Sequence, residues 1–286
     1  MIFISILENF MLLDKIKIII PAICSFYFLM AGSYASGVGT YAGNWLHLEA
    51  SVRSVGMGRA QVATGSGVGS ISDNPAHISM IKGTELYASQ TSYIAGIEYN
   101  TLAYGVQSSN NYIAFNLFYM DSGDMDRTNY IFPDGTGADF SVTSLSFRFT
   151  YGMKIAQSIN LGLSGKYFRE GISDSEDAKM SGLALDFGAT YKLNSPELTL
   201  GASISNLGPN VQFFGDGGDV NVPDTLETGG VLSKITQPFP LPVTIKFGVA
   251  KDMLFNNHKV SIAIDMNKSM DYSVFFNIGS EYTFKK

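Results

Sequence analysis

After Tyr93 the chain runs in stretches of about ten residues in which apolar and polar side chains alternate. In 142–151, Leu145, Phe147, Phe149 and Tyr151 share one face, and Ser144, Ser146, Arg148 and Thr150 share the other. In 158–167 the apolar face is Ile159, Leu161, Leu163 and Tyr167, and in 180–193 it is Leu183, Leu185, Phe187, Ala189, Tyr191 and Leu193. The pattern returns at 259–267 and 273–284. A period of two is the signature of a strand with unlike faces, so the chain must fold mainly as β-sheet. Further strands are expected at 84–93, 96–107, 111–120, 197–207 and 242–253.

A soluble β-sandwich also alternates, and the connections separate the two folds. Linkers at 108–110, 157–158, 194–196 and 256–257 are short, whereas 121–139, 170–179 and 208–241 are long and polar. Short turns at one end and long loops at the other are the asymmetry of a transmembrane β-barrel. Ile94-Ala95 and 268–271 are short exceptions on the long-loop side. Charged residues make up only 15% of the chain, against about a quarter in soluble domains. The expected fold class is therefore all-β, an antiparallel transmembrane β-barrel. A net charge of −6 gives no footprint for nucleic acid.

The alternation assigns faces. A charge facing lipid near the midplane costs about 2–4 kcal/mol, so Arg148, Lys166, Asp186, Lys192, Lys246, Asp265 and Glu281 are expected in the lumen. Both signs are present, which suggests a mutually neutralising interior network; a polar path for a solute is the sharper alternative.

Before the strands, 1–35 reads as a cleaved signal peptide. Lys15 and Lys17 precede the apolar run Ile18–Met30, and Ser33-Tyr34-Ala35 offers a small-residue cleavage site. The start is Met1 or Met11, and the single cysteine, Cys24, falls inside this segment. Residues 36–83 carry glycine without long alternation and are expected to form a compact hatch or plug, with the barrel over 84–286. Gly65, Gly67 and Gly69 lack the preceding strand and following Gly-Lys-Ser/Thr of a phosphate loop. In Asp73-Asn74-Pro75-Ala76, proline suits the first position of a short helix reaching Ile81, capped by Asp73 or Asn74.

Trp45-Leu46, the stretch 51–63 and the Asn74-Pro75-Ala76 box resemble the opening of the PorV/PorQ proteins, relatives of FadL-type fatty-acid transporters. Within 51–63 the matching positions are Arg53, Met57, Gly58, Ala60, Val62 and Ala63, while Ser54 and His77 depart from the family pattern. The segments 201–209, 241–249 and 279–282 continue the resemblance in order. It implies a FadL-like barrel of about 14 strands, of which about ten are present here, with the N-terminal segment as a hatch. It also implies outer-membrane localisation in a Gram-negative-type bacterium, with lipid and a hydrophobic small molecule such as a fatty acid as partners. The alternative role is a type IX secretion component that receives exported proteins, with Phe213, Phe214 and Phe239 as loop contacts. A structural or vestigial barrel is a further alternative. No cofactor or metal is expected, Asp121, Asp124 and Asp126 reading as a solvated acidic loop rather than a calcium site. His47, His77 and His258 show no pairing with a nucleophile, so the chain is not read as an enzyme.

Overall fold

The computed structural model describes residues 38–48, 51–172, 178–194, 197–215, 220–222, 230–232, 236–255 and 257–284. The expected leader, with Cys24, lies outside the described residues.

Ten strands make the wall: β1 (Thr84–Ser92), β2 (Glu98–Ser108), β3 (Asn111–Asp121), β4 (Val142–Ala156), β5 (Ile159–Ile172), β6 (Lys179–Asn194), β7 (Glu197–Leu207), β8 (Thr244–Phe255), β9 (His258–Ser269) and β10 (Phe275–Phe284). They pair in sequence order as one antiparallel meander, and the two-residue strand Phe213–Phe214 adds to β6. Among the described residues no ladder joins β1 to β10.

The wall is inside-out relative to a soluble protein. Thr150, Ser164, Asp186 and Thr190 are buried, while Phe147, Phe149, Leu163 and Leu183 of the opposite parity are exposed. This is the stable arrangement when the outer solvent is hydrocarbon and the interior is filled by polar protein. The ladder is irregular between β6 and β7, where Leu185 faces Leu207 and Phe187 faces Ile204, so Asp186 opposes two residues. Asn206 absorbs this bulge with a left-handed backbone, φ 64°, and its N–H donates to Asp186 Oδ1 at 2.7 Å. Asparagine tolerates that conformation better than most residues.

Residues 38–48 and 51–83, the described part of the expected hatch, thread the interior as short helices: 3-10 turns at Asn44–His47, Val68–Ser70 and Pro75–Met80, and α1 at Val52–Gly56. Ser51 Oγ caps α1 by accepting from Ser54 N–H at 3.2 Å. Of the two candidate caps for the proline helix, Asn74 is the one used; its Oδ1 accepts from Ala76 N–H at 3.0 Å.

Glycines on the inner face set how closely hatch and wall approach. Gly152, Gly162 and Gly188 are direct cross-strand partners on β4, β5 and β6, and Gly201 faces Gly248 on β7 and β8. A Cβ at Gly162 would overlap the Pro75 carbonyl, one at Gly188 Asn74 Oδ1, one at Gly201 the Val62 carbonyl, and one at Gly279 the Met57 carbonyl. Two apolar clusters complete the fit. Val68, Ile71, Ile78 and Ile81 of the hatch pack on Ala103, Tyr112 and Ala114. Nearer the long loops, Trp45 stacks on Phe118 at 5.8 Å and packs with Phe168, Met180, Val211 and Leu241.

Gly162→Val should cost about 3 kcal/mol or more and abolish the heat-modifiable folded band on a semi-native gel. Gly165→Val should leave the band intact, because a Cβ there meets only Leu185 Cδ2 at 3.9 Å.

Candidate functional site

The residues matched in 51–63 hold the hatch to the wall. Arg53 grips Glu281 of β10 through both carboxylate oxygens, at 2.9 and 2.8 Å, and spends its third contact on the Thr64 carbonyl at 3.1 Å. The paired geometry fixes orientation as well as distance. The neighbouring Val52 N–H donates to Tyr87 Oη of β1 at 3.0 Å. Val62 N–H donates to the buried Asp265 carboxylate at 2.8 Å. Met57, Ala60 and Ala63 pack on Ala250 and Ala263 of the wall. Gly58 takes φ 57°, with room for no Cβ beside the Ile278 carbonyl.

The Asp73-Asn74-Pro75-Ala76 box is anchored on three sides. Asn74 Nδ2 donates to the Val62 carbonyl at 2.9 Å and the Ala189 carbonyl of β6 at 3.1 Å. Asp73 accepts from Ser54 Oγ at 3.2 Å and lies 3.9 Å from Lys246 Nζ. Ser203 Oγ donates to the Asp73 carbonyl at 2.9 Å. His77, fully buried, sits with Nδ1 3.2 Å from the Ser70 carbonyl and Nε2 3.1 Å from that of Val62. Burial pushes its pKa down to about 4 against the pull of those carbonyls.

The seven charges expected in the lumen divide into three groups. Arg148, Lys166 and Asp186 form a compact network, with Lys166 Nζ 2.8 Å and Arg148 Nε 3.4 Å from the Asp186 carboxylate. Lys166 also donates to Asn206 Oδ1. Lys246, Asp265 and Glu281 instead face the hatch, in the contacts given above. Lys192 stands apart: it shares the inward parity of Asp186 and Thr190 and is exposed, two residues from the short-turn end of β6.

Between the hatch and the long-loop half of β7–β9 lies a cavity of about 550 Å³. Its floor is hatch (Leu46, His47, Leu48, Arg59), and Ser205, Thr244, Lys246 and Asn267 line its wall. His47 latches this floor. Its Nε2 is 3.3 Å from Asp271 Oδ2, and Arg59 Nη2 donates to its carbonyl at 2.8 Å. Burial lowers the His47 pKa, with Asp271 opposing. Ser269 Oγ contacts the same Nε2 and also Asp271. Thr244 Oγ1, 3.4 Å from Nδ1, donates to the Pro242 carbonyl at 3.2 Å. A proton relay needs nucleophile and orienting acid on opposite ring nitrogens with the hydroxyl proton directed to histidine; this cluster is built as a latch. A larger hollow, about 940 Å³, lies over exposed Phe115, Phe147 and Tyr167 and belongs to the outward apolar surface.

The loop candidates separate in the same way. Phe213 and Phe239 meet at 6.4 Å and pack on the Trp45 cluster, whereas Phe214 is exposed. In the acidic loop, the Asp121 oxygens accept from Tyr119 Oη at 3.2 Å and Gly123 N–H at 2.9 Å. The alternation did not single out Asn206, Thr244, Ser269 or Asp271: Thr244 and Ser269 share the inward parity of Lys246 and Asp265, the bulge places Asn206, and the chain reversal after β9 sets Asp271 against His47.

No protein-family model and no curated protein matches the chain by sequence. Solved structures do match in fold. The TodX monoaromatic hydrocarbon channel deltaS2 mutant superposes at TM-score 0.51 with 15% identity, covering 84% of this chain and 76% of the other. The TodX deltaS2S3 mutant gives 0.52 with 13% identity over 82% and 79%; TodX is a toluene transporter of Pseudomonas putida. The toluene transporter TbuX of Ralstonia pickettii gives 0.50 with 12% identity over 84% and 79%. At these identities the likeness establishes the fold alone, an antiparallel β-barrel like that of these channels.

Two outcomes follow from the anchors. Glu281→Gln should speed amide exchange of hatch residues 51–64 by up to about fivefold, as for loss of a partly exposed ion pair worth ~1 kcal/mol, with wall amides unchanged. His77 binds its proton less readily folded than unfolded, so its contribution is complete above pH 6.5 and is lost as pH falls toward 4. Denaturant titrations at pH 7.5 and pH 5 should differ by about 2 kcal/mol from this group, and His77→Gln should shrink that difference.

Proposed function

We propose that this chain is an outer-membrane barrel that passes hydrophobic small molecules, with 36–83 as a hatch whose movement opens the path. The carrying observation is the hatch itself. It fills the lumen at the glycine level, and polar contacts at Arg53, Asp73, Asn74 and Val62 attach it beside three apolar clusters, the largest of them around Trp45. Polar contacts can be exchanged for water as the hatch shifts, at about 1 kcal/mol net each, so a wall–plug interface of this kind is suited to rearrangement. The cavity above it offers apolar surface from Leu46, Leu48, Val274 and Phe275 beside polar groups, as ligand sites do. Hydrocarbon passage by TodX and TbuX supports the reading through fold alone. Export through a cleaved leader over 1–35 belongs to the same proposal, as does orientation with the long loops outward.

The secretion-component role has less behind it, since Phe213 and Phe239 are turned into the Trp45 cluster. The proposal does not include an enzymatic activity.

The test uses Arg53→Cys with Glu281→Cys in a Cys24→Ser background. A cleavable bifunctional thiol reagent should tie hatch to wall and stop uptake of a labelled alkylbenzene into proteoliposomes, and cleavage should restore it. Uptake that continues unchanged with the hatch tied would reject the moving-hatch path.

A further inference from the structure

Lys166, Asp186 and Asn206 lie on three consecutive strands, β5, β6 and β7, and meet in one buried group. The Lys166 and Asp186 side chains are each 1% exposed, and Asn206 is 1% exposed. Lys166 Nζ is 2.8 Å from Asp186 Oδ1 and also contacts Asn206 Oδ1, one bond from the amide carbon of that side chain. Asn206 is held from two further directions. Its backbone N–H donates to Asp186 Oδ1 at 2.7 Å, and Nδ2 donates to the Pro242 carbonyl at 3.1 Å. The amide is therefore fixed with its carbonyl toward the amine.

The group is also unbalanced in charge. Among the described residues Asp186 is the one carboxylate within ion-pair distance of Arg148 and Lys166. Arginine stays protonated in proteins, so Arg148 and Asp186 already neutralise each other. The lysine ammonium is then a buried excess charge, which is costly. Asp186 Oδ2 makes no hydrogen bond among the described residues, which leaves a lone pair free to take a proton. An amine, a side-chain amide and a proton-accepting carboxylate, packed together away from solvent, are the parts of an acyl transfer.

We propose that Lys166 and Asn206 condense into an intramolecular isopeptide bond, with Asp186 carrying the protons. One ammonium proton passes to Asp186, and the lone pair it frees on Nζ bonds to Asn206 Cγ. A second proton moves from Nζ to Nδ2, the Cγ–Nδ2 bond breaks, and ammonia leaves. Asp186 then gives the first proton to the ammonia, so ammonium is the net by-product and no oxidant or other reactant enters. The product amide is uncharged, and the buried group is left as the balanced pair Arg148 and Asp186. Lys166 and Asn206 both line the cavity above the hatch, which gives the ammonia a way out. The link closes a loop of 40 positions around β6 and its irregular ladder, in a chain whose single cysteine leaves it no internal disulfide.

The test is mass spectrometry of the full chain extracted from membranes in its heat-modifiable folded form, with its N-terminus read by peptide mapping. The expected mass is about 17 Da below that of the sequence, the loss of one ammonia. A tryptic digest should contain a branched peptide joining Lys166 to Asn206. Asp186→Asn keeps the shape of the carboxylate but cannot take the proton; it should return the mass of its own sequence, with trypsin cutting after Lys166. Lys166→Arg should likewise show no loss. Folded unsubstituted protein at the mass of its sequence, cleaved after Lys166, would overturn the proposal. An equal loss that persists in Lys166→Arg would overturn it too, because it marks a succinimide at an asparagine instead. A bond that still forms in Asp186→Asn would overturn the proton-carrying role of Asp186. The mass of the unsubstituted chain decides the bond whether or not either variant folds.

Discussion

Backbone-to-wall contact across the inner glycines is the interaction on which the rest of this structure depends. Gly162, Gly188, Gly201 and Gly279 lie where the carbonyls of Pro75, Val62 and Met57 and the Asn74 side chain come up against the sheet. With a side chain at any of these positions the hatch would stand off by the thickness of a methyl group or more. The 2.8–3.1 Å hydrogen bonds from Asn74 and Val62 to Ala189 and Asp265 could not then form. Close packing makes such a displacement all-or-none, because interiors at crystal-like density accommodate an added methyl only by shifting several neighbours.

Two consecutive hatch residues touch the two outermost strands of the wall. Val52 donates to Tyr87 on β1, and Arg53 pairs with Glu281 on β10. Helix α1 thus bridges strands that share no ladder among the described residues. The lumen charges fall into two populations with different tasks. Arg148 and Lys166 share the one carboxylate of Asp186 and, through Asn206, the group holds the bulge between β6 and β7. Lys246, Asp265 and Glu281 spend their charge on the hatch. The first population rigidifies the wall; the second makes the plug's seat polar and therefore exchangeable with water.

The cavity lies where these populations meet. Its cations come from both, its floor is fixed by the His47–Asp271 latch, and its apolar patch comes from the hatch and the chain after β9. On the proposed reading, a displacement of the hatch would alter floor and cation set together, and occupancy of the cavity would then be coupled to the state of the plug.

Much of this was legible in the sequence because alternation is a local property. Period two fixes which side chains share a face whatever the partner strand, so the strand expected at 142–151 appears within Val142–Ala156 and that at 197–207 as Glu197–Leu207. The composition of the two faces likewise settled that the apolar one points outward, since only lipid makes that orientation stable. The cap at Asn74 was readable for the same reason, its hydrogen bond reaching only two residues along the chain. The tertiary structure alone decided what the inward groups do. Arg53 and Glu281 are 228 positions apart, and His47 and Asp271 224. Nothing local distinguishes Glu281, which holds the hatch, from Lys192, which shares the inward parity and is exposed. The inward glycines read as small polar-face residues until the hatch is laid against them, and Phe213 and Phe239 read as free loop aromatics until Trp45 is placed beneath them. Facing is set by neighbours in sequence; partnership is set by where the chain returns, and that is a property of the closed packing rather than of any segment.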